Sequence, residues 1–563
     1  MPKAKNILAS LCFLTLSGFV GTSVATSSAS ANTFGDYLNS RHAGSLYDYA
    51  QAAELLNRVL KARPDDYRIK YETLQAYIYA GRYDDMIKLA ANTAANDDKS
   101  LPLVNFINGL DAIVKGDFDK AATILSAMER TRLEKFTVPL ALAWAEVGRG
   151  NFDAASKLME KFDTQGGFKE LKALHSGLIL ARAGKPDAAE AAFLNGKGSA
   201  INLPLRTFRA FIRLKIDSGK QEEARNLLTD YMAAYSDHTL LEADMATLMQ
   251  DSNLPPLFTS PAEGIGDGIF HIASALYQQS QDIGFQYARL ANWVAPNLPA
   301  TTIFIAGAME DRSRFKDANE IYDLLPSNSP YLWNVRLQRA ENLYELGDTE
   351  QAIENLQEMV SENPGKFDAL ASLGGIYRRQ ERFEEAADAF DKAISRLNPV
   401  KPEHFFLYYY SGMTHERAKQ WDKAEPRFLK ALELQPGNPN ILNYLGYSWV
   451  ELGINIEKAQ EMIRQAVAQQ RHNGYIVDSL GWVYYKVGKF EDAVQELEQA
   501  VLLLPQDPTV NDHLGDAYWF VGRQREARYQ WERASKMNPS EDLMQMLDDK
   551  LANGLTDSAT VVQ

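Results

Sequence analysis

Residues 478–505 read DSLGWVYYKVGKFEDAVQELEQAVLLLP, a pattern typical of two short helices joined by a tight turn. Gly488 stands between the two apolar segments, and glycine tolerates the left-handed backbone that such a turn requires. The small residues Gly481 and Ala493 would let the two helices approach each other closely. Pro505 would end the second helix. The stretch therefore predicts one helical hairpin.

The same pattern recurs along the chain with a nearly constant period. Its alanine position is repeated at steps of 34 or 35 residues, with one step of 38. A period near 34 is typical of tetratricopeptide repeats, and the chain resembles proteins built from them. The resemblance implies an all-α fold, a right-handed α-solenoid of tandem helix-turn-helix units. The repeated position is occupied by Ala52, Met86, Ala121, Ala155, Ala189 and Ala224, and then by Ala318, Ala352, Ala386, Ala424, Ala459, Ala493 and Ala527.

The repeat weakens in the middle of the chain. Residues 251–268 contain three prolines and three glycines, which are typical of loops. The run from Gly264 to Gly268 superficially resembles a phosphate-binding loop, but no strand precedes it, and it is predicted to be a flexible linker. The sequence predicts an N-terminal lobe of degenerate repeats at 32–250, a linker or bend at 251–268, a C-terminal lobe at 269–545 and a flexible tail at 546–563.

The first residues have the pattern of an export signal. Lys3 and Lys5 precede an apolar run at 7–20, and small residues lead up to Asn32. This order is typical of a signal peptide that is removed before Asn32. The apolar run is shorter than the roughly 20 residues that cross a bilayer. We predict a signal peptide at 1–31, export of the protein, and no transmembrane segment in the mature chain.

Composition and motifs argue against nucleic-acid binding and against catalysis. The formal net charge is −15, and an acidic surface repels nucleic acid and anionic membranes. None of the eight histidines stands four residues from another, as a helical zinc site would require, and no phosphate loop or nucleophile elbow is present. Asp512 and Asp516 are one helical turn apart, but such pairs are common on solvated helix faces. The chain is predicted not to be an enzyme and to need no cofactor or metal.

The repeat pattern predicts which side chains face a partner. The first helix of each hairpin lines the concave surface, so positions around each Leu-Gly pair face the groove. Aromatic side chains there offer large contact areas, while amides and carboxylates can bind a peptide backbone or basic side chains. Alternatively, the aromatics fill the inner spine of a tight superhelix. The predicted protein-binding or peptide-binding groove consists of Tyr409, Met413, Asn443, Tyr447, Asp478, Trp482, Tyr485, Asp512, Asp516 and Trp519.

Aspartates in this groove disfavour one known recognition mode. Tetratricopeptide clamps that hold acidic C-terminal tails use Lys and Arg, whereas Asp478, Asp512 and Asp516 stand on this face. The negative charge would repel an acidic tail.

Three runs in the C-terminal half resemble a narrower group. Residues 443–447, 478–482 and 513–519 are similar to repeat lipoproteins of Gram-negative envelopes that act as adaptors for a periplasmic carboxyl-terminal processing protease. The resemblance implies a periplasmic or envelope-associated protein that presents cell-wall hydrolases to a protease. Bulky Leu11 before Cys12 departs from a lipid-attachment site. The alternatives are an envelope-assembly or polysaccharide or protein export factor and, less favoured, a cell-wall enzyme.

Overall fold

The computed structural model describes residues 27–96, 102–129, 134–162, 167–235, 239–250 and 254–555. Within these ranges every long element is an α-helix and no strand occurs, which confirms the predicted all-α solenoid class. Most of the predicted signal peptide, residues 1–26, lies outside the described residues. The helices are α1 (Ser27–Ser45), α2 (Tyr49–Ala62), α3 (Tyr67–Ala80), α4 (Tyr83–Asn96), α5 (Pro102–Val114), α6 (Phe118–Ser126), α7 (Glu134–Gly148), α8 (Phe152–Glu160), α9 (Lys169–Arg182), α10 (Pro186–Leu194), α11 (Leu205–Asp217), α12 (Gln221–Ala234), α13 (Thr239–Met249), α14 (Pro261–Tyr277), α15 (Gln281–Val294), α16 (Pro299–Glu310), α17 (Phe315–Tyr322), α18 (Leu332–Leu346), α19 (Thr349–Glu362), α20 (Asp368–Arg379), α21 (Phe383–Ser395), α22 (Phe405–Arg417), α23 (Trp421–Leu434), α24 (Pro439–Glu451), α25 (Ile456–Gln469), α26 (Gly474–Lys486), α27 (Phe490–Leu503), α28 (Pro508–Phe520), α29 (Gln524–Ser535) and α30 (Glu541–Asn553).

The hairpin of α26 and α27 shows why the repeat pattern has small residues at fixed places. A Cβ on Gly481 would lie 2.5 Å from the Leu497 side chain of the facing helix. Ala493 is fully buried in the same contact. Gly488 has φ +76°, the left-handed conformation that the turn requires. The predicted roles of the repeat residues are confirmed in this hairpin.

The chain forms two compact units, which we call unit 1 and unit 2. Unit 1 ends at Val335 and unit 2 begins at Arg336. The predicted division into lobes at 32–250 and 269–545 stays a prediction.

In unit 1, one face is formed by the first helices of successive hairpins, α3, α5, α7 and α9. Helix α14 packs against α5, α7 and α9, and α15 packs against α3 and α5. The α14–α15 hairpin therefore covers the face that a partner would occupy in an open solenoid.

The prediction that Gly264 to Gly268 form a flexible linker is wrong. Helix α14 begins at Pro261, after Ser260 accepts a hydrogen bond from the Glu263 amide, and the glycines are buried within it. A Cβ on Gly264 would lie 2.4 Å from the Trp144 ring, and one on Gly268 would lie 2.3 Å from Leu140. These glycines allow α14 to approach α7 closely, and their flexibility has no part in this contact.

Polar and aromatic contacts fix the second helix of this hairpin. Gln286 on α15 accepts a hydrogen bond from Gln75 on α3 at 3.3 Å. The hydroxyl of Tyr83 donates to the Arg289 carbonyl at 3.1 Å. The Phe285 ring lies 6.0 Å from that of Tyr79. The covering of unit 1 is thus a packed part of its core.

In unit 2, the last helix of the described residues is α30. The predicted flexible tail is wrong for the part that lies in α30, whose Leu543 and Leu547 are buried. One face of α30 is exposed, which explains the polar composition on which the prediction of a tail rests. Residues 556–563 of the predicted tail lie outside the described residues.

Candidate functional site

A cleft of about 530 Å³ opens on unit 2 between α22 and α28. The first helices of four successive hairpins supply most of its lining, as expected for the concave side of a repeat stack. The polar and aromatic lining residues include Glu416, Asn443, Tyr447, Glu451, Tyr475 and Asp478.

The structure brings three of the ten predicted groove residues together in this cleft. Asn443, Tyr447 and Asp478 line it. Tyr409 and Met413 are half-buried and pack against the adjacent apolar core. The other five lie farther along the stack. Trp519 is half-buried, and the remaining four are buried: Trp482, Tyr485, Asp512 and Asp516.

Trp482 and Tyr485 fill the inside of the stack, as in the alternative that the sequence left open. Their rings stack at 4.7 Å, and Trp482 also stacks on the ring of His513 at 3.9 Å. The indole N–H of Trp482 donates to the Glu451 carboxylate. These contacts hold the wall of the cleft in place and leave little aromatic surface for a partner.

The expectation that Asp512 and Asp516 lie on a solvated face is wrong. They are only 5% and 4% exposed, and Lys550 of α30 is bound between them. Its ammonium donates to Asp512 Oδ1 at 2.7 Å and to Asp516 Oδ2 at 2.9 Å. The Trp531 indole donates to Asp516 Oδ1 at 2.9 Å. Both carboxylates are engaged in an internal ion cluster.

Burial determines the protonation behaviour of this cluster. Burial and the neighbouring Asp512 charge raise the pKa of Asp516 to about 6, although Lys550 acts in the opposite direction. Burial lowers the pKa of Lys550, but the two aspartates more than offset this, and the net pKa is raised. The ammonium therefore stays charged, as a buried ion cluster requires.

The residues that follow α30 cover Trp519. The indole N–H of Trp519 donates to the Leu555 carbonyl at 2.9 Å. A Cβ on Gly554 would lie 2.3 Å from the Trp519 ring, so the main chain passes directly against the indole. The open part of the predicted groove consequently stops before Trp519.

His513 has a role that the sequence prediction missed. Its Nδ1 is 3.0 Å from both carboxylate oxygens of Asp478. Burial lowers the pKa of His513, but Asp478, Asp512 and Asp516 outweigh this effect and the net pKa is raised. The spacing of 35 residues between Asp478 and His513 is one repeat period, which is the signal that could have paired them.

The cleft lining contains one buried polar atom that no described residue satisfies. The buried Oδ1 of Asn443 accepts no hydrogen bond from any described residue. Burial raises the pKa of Tyr447, and the carboxylates of Glu451, Asp478 and Glu416 raise it further. Glu416 accepts a hydrogen bond from the Tyr444 hydroxyl at 3.0 Å. The cleft therefore combines aromatic surface, one free amide oxygen and negative charge.

Two other kinds of feature are absent from the described residues. No group of three or more His, Cys, Asp or Glu side chains is arranged there to hold a metal ion. Among the helices described, none is both long enough and apolar enough to cross a membrane.

Comparison with known proteins supports the repeat assignment. A family model for the tetratricopeptide repeat matches residues 37–100, 337–402 and 479–542. A TPR repeat-containing protein of Pseudomonas aeruginosa is 25% identical over 199 residues, which are 35% of this chain and 33% of that protein. A protein O-mannosyl-transferase of Homo sapiens is 28% identical over 141 residues, which are 25% of this chain and 15% of that protein. The matches thus span a third or less of these relatives.

Solved structures give the same kind of similarity at lower identity. The Cut9 and Hcn1 hetero-tetramer of the APC/C is 16% identical, covering 94% of this chain and 99% of that chain with a TM-score of 0.41. The pilF protein of Pseudomonas aeruginosa is 16% identical, covering 39% of this chain and 97% of that chain with a TM-score of 0.33. The three matched segments are thus similar to tetratricopeptide repeats.

Proposed function

We propose that the protein is a non-catalytic scaffold that binds a segment of another protein in the cleft of unit 2. Tetratricopeptide repeats generally mediate contacts between proteins. The observation that carries the proposal is the cleft of about 530 Å³ with the unsatisfied Oδ1 of Asn443 in its lining. Its volume lies within the range of roughly 300–1,000 Å³ that is common for ligand sites.

The lining suits a peptide. Tyr444, Tyr447 and Tyr475 present aromatic surface along the cleft, and aromatic side chains supply contact area with little loss of conformational freedom. The Asn443 side chain lies in the lining, but its Oδ1 is buried, so a peptide N–H reaches this oxygen only when the side chain turns toward the cleft. A buried acceptor that gains a partner on binding favours the complex by removing the cost of an unmade hydrogen bond.

The acidic groups support binding over catalysis. The acid pair that the sequence singled out, Asp512 and Asp516, is buried and bound by Lys550 of α30, so it is not open to a substrate. In the cleft, Asp478 is paired with His513. General acid–base catalysis needs a free carboxyl or imidazole group within reach of a reacting atom. These aspartates are instead bound to Lys550 and His513.

The sharper form of the proposal is an adaptor in a bacterial envelope. The leader pattern at 1–31 supports export, and the runs at 443–447, 478–482 and 513–519 support an adaptor for a carboxyl-terminal processing protease. The cleft lies on helices that carry these runs. In this proposal, the cleft binds either the protease or a protein presented to it.

The test compares capture by the full chain with capture by cleft variants. Asn443→Ala with Tyr447→Ala removes the free acceptor and the central aromatic ring, and we expect recovery of crosslinked partner to fall by about tenfold or more. The matched control is Tyr529→Ala on α29, since Tyr529 is exposed and outside the cleft. Crosslinking in intact cells followed by mass spectrometry identifies the partner, and circular dichroism checks the fold. Equal recovery by the double variant and the control would refute the proposal.

A further inference from the structure

We infer that the segment bound in this cleft inserts a lysine or arginine side chain beside Glu416 and Glu451. The inference rests on the proposed function, because it specifies the partner of the same site. Its evidence is the set of nitrogen-bearing groups that the chain itself binds at the equivalent positions of the neighbouring repeats.

Equivalent positions in successive hairpins hold nitrogen-bearing groups. In α28, Asp512 and Asp516 bind the Lys550 ammonium at 2.7 and 2.9 Å. In α26, Asp478 binds the His513 ring nitrogen at 3.0 Å. One repeat earlier, in α24, the position equivalent to Asp478 and Asp512 is Asn443, whose Oδ1 accepts no hydrogen bond from a described residue. The series points to a hydrogen-bond donor at this position too.

Helix α30 shows how the neighbouring repeat binds a single lysine side chain. Lys550 puts its ammonium into the acidic pair, while the Trp519 indole donates to the main-chain carbonyl of Leu555. Gly554 brings the main chain against the same indole. One ammonium, one carbonyl and close main-chain contact are features that any lysine-bearing peptide can supply.

The charges that face the cleft favour a cation. Glu451 and Glu416 line it, and with Asp478 they raise the pKa of the Tyr447 hydroxyl beyond the effect of burial. Such a shift is the sign of negative potential at that atom. An acidic segment would be repelled there.

Basic groups near the cleft offset this potential only in part. Lys486 lies 3.7 Å from Glu451, and His513 is committed to Asp478. Of the two basic residues on the lining, Lys419 is exposed, and the Arg417 guanidinium lies over the Phe383 ring at 5.1 Å, toward the preceding hairpin. Glu416 accepts a hydrogen bond from the neutral Tyr444 hydroxyl and Glu451 is paired with Lys486 only at 3.7 Å, so a partner's cation can still add to both carboxylates.

Aromatic and apolar surface suits the rest of such a side chain. Tyr444 and Tyr475 line the cleft with Trp421 and Leu452. A lysine or arginine stem packs along apolar surface while its charged end reaches polar groups. Ring faces attract the cation directly.

The experiment uses the full chain and three fluorescein-labelled peptides of one Ala/Gln/Tyr framework that carry three Lys, three Gln or three Glu residues. Fluorescence anisotropy measures binding at low and at physiological salt. We expect the Lys peptide to bind about tenfold or more tightly than the Glu peptide, with weaker binding at the higher salt. We expect Glu451→Gln to weaken the Lys peptide by about threefold to tenfold. Glu461→Gln is the matched control, because Glu461 is exposed on α25 and outside the cleft lining.

Each outcome separates this inference from the proposed function. Preference for the Lys peptide that depends on Glu451 but not on Glu461 supports the inference. Equal or tighter binding of the Gln or Glu peptide, or no saturable binding of the Lys peptide up to about 1 mM, overturns it. The proposed function would still stand in those cases if Asn443→Ala with Tyr447→Ala abolishes capture of the protein partner.

Discussion

The two units contain the same kind of repeat, but the face formed by their first helices is used differently. In unit 1, the α14–α15 hairpin packs on α3, α5, α7 and α9. In unit 2, the corresponding face is open as a cleft between α22 and α28, and α30 with the residues that follow it covers only the part beyond it. A repeat pattern therefore specifies a groove, while its availability to a partner depends on what else in the chain packs there.

The two coverings also differ in chemistry. Helix α14 is held by apolar packing, with Gly264 against Trp144 and Gly268 against Leu140. Helix α30 is held near its end by the ion cluster of Lys550 with Asp512 and Asp516. Apolar packing of this density is a core contact, whereas the ion cluster depends on pH and on one side chain.

The largest expected difference is in which unit can be crosslinked to a partner. A photoreactive phenylalanine analogue at Tyr475, on the rim of the open cleft, should give adducts with another protein. The same analogue at Gln75, which contacts Gln286 of the covering hairpin, should give only internal crosslinks. Mass spectrometry of crosslinked cells distinguishes the two. Protein adducts of similar yield from position 75 would show that the unit 1 face is accessible and would break the comparison.

The next effect is the loss of the ion cluster that fastens α30. Lys550→Met leaves two buried carboxylates without their cation, and we expect the free energy of unfolding of unit 2 to fall by roughly 3–5 kcal/mol. Lys536→Met is the control, because Lys536 forms an exposed pair with Glu532 whose contribution should be below about 1 kcal/mol. Chemical denaturation measures both variants. Similar small changes for the two lysines would mean that α30 is held without the cluster.

A smaller loss is expected when the glycine contact in unit 1 is filled. Gly264→Val would force α14 away from Trp144, and such overpacking costs about 1–3 kcal/mol. Gly307→Ala on α16 is the control, since no atom lies closer than 4.0 Å to the added Cβ, and alanine should stabilise the helix by about 0.5–1 kcal/mol. Circular dichroism measures the midpoint of thermal unfolding of both variants. An unchanged midpoint for Gly264→Val would contradict the close packing of the covering hairpin.

The smallest expected effect is a dependence of unit 2 stability on pH. The pKa of the Asp516 carboxyl is raised from its usual 3.8 to about 6, so the folded state binds a proton at Asp516 more tightly than the unfolded state does. The free energy of unfolding therefore rises as pH falls from about 6 to 4. Burial lowers the pKa of His513, but the surrounding aspartates raise it above its usual 6.5. The stability that protonated His513 contributes is present below pH 6.5 and is lost as pH rises through the pKa of His513 in the folded state. Both groups therefore make the C-terminal repeats more stable at pH 5 than at pH 8.

Hydrogen exchange of the α28 and α30 amides at these two pH values measures this effect. His513→Gln should reduce the difference between them. If the variant and the unaltered chain show the same difference, His513 does not contribute to it.

The sequence predicted local structure well because each hairpin depends on nearby residues. Gly481 and Leu497 are in the same repeat, and they meet within one hairpin. The prediction failed where the same residue types serve contacts between distant segments. Glycines at 264–268 have the composition of a linker, but they lie in a helix because Trp144 and Leu140 are there to be packed against. Nothing local to 264–268 could have revealed those partners.

The candidate site divides in the same way. Asn443, Tyr447 and Asp478 follow from the register of the repeat, and they do line the cleft. The position of α30 decides that the open cleft excludes Asp512, Asp516 and Trp519. In the sequence of α30, only the apolar positions Leu543 and Leu547 indicate that this helix packs on the stack.

By itself, the sequence determined the helical hairpin, its period and the order in which side chains line one face. The tertiary structure alone decided which stretch of that face stays open. The physical reason is that a hairpin forms from contacts within about 34 residues, whereas covering a face requires segments such as α14 and α30 to fit surfaces made elsewhere in the chain. That fit depends on shape and charge in three dimensions, as the Trp144 contact and the Lys550 ion cluster show.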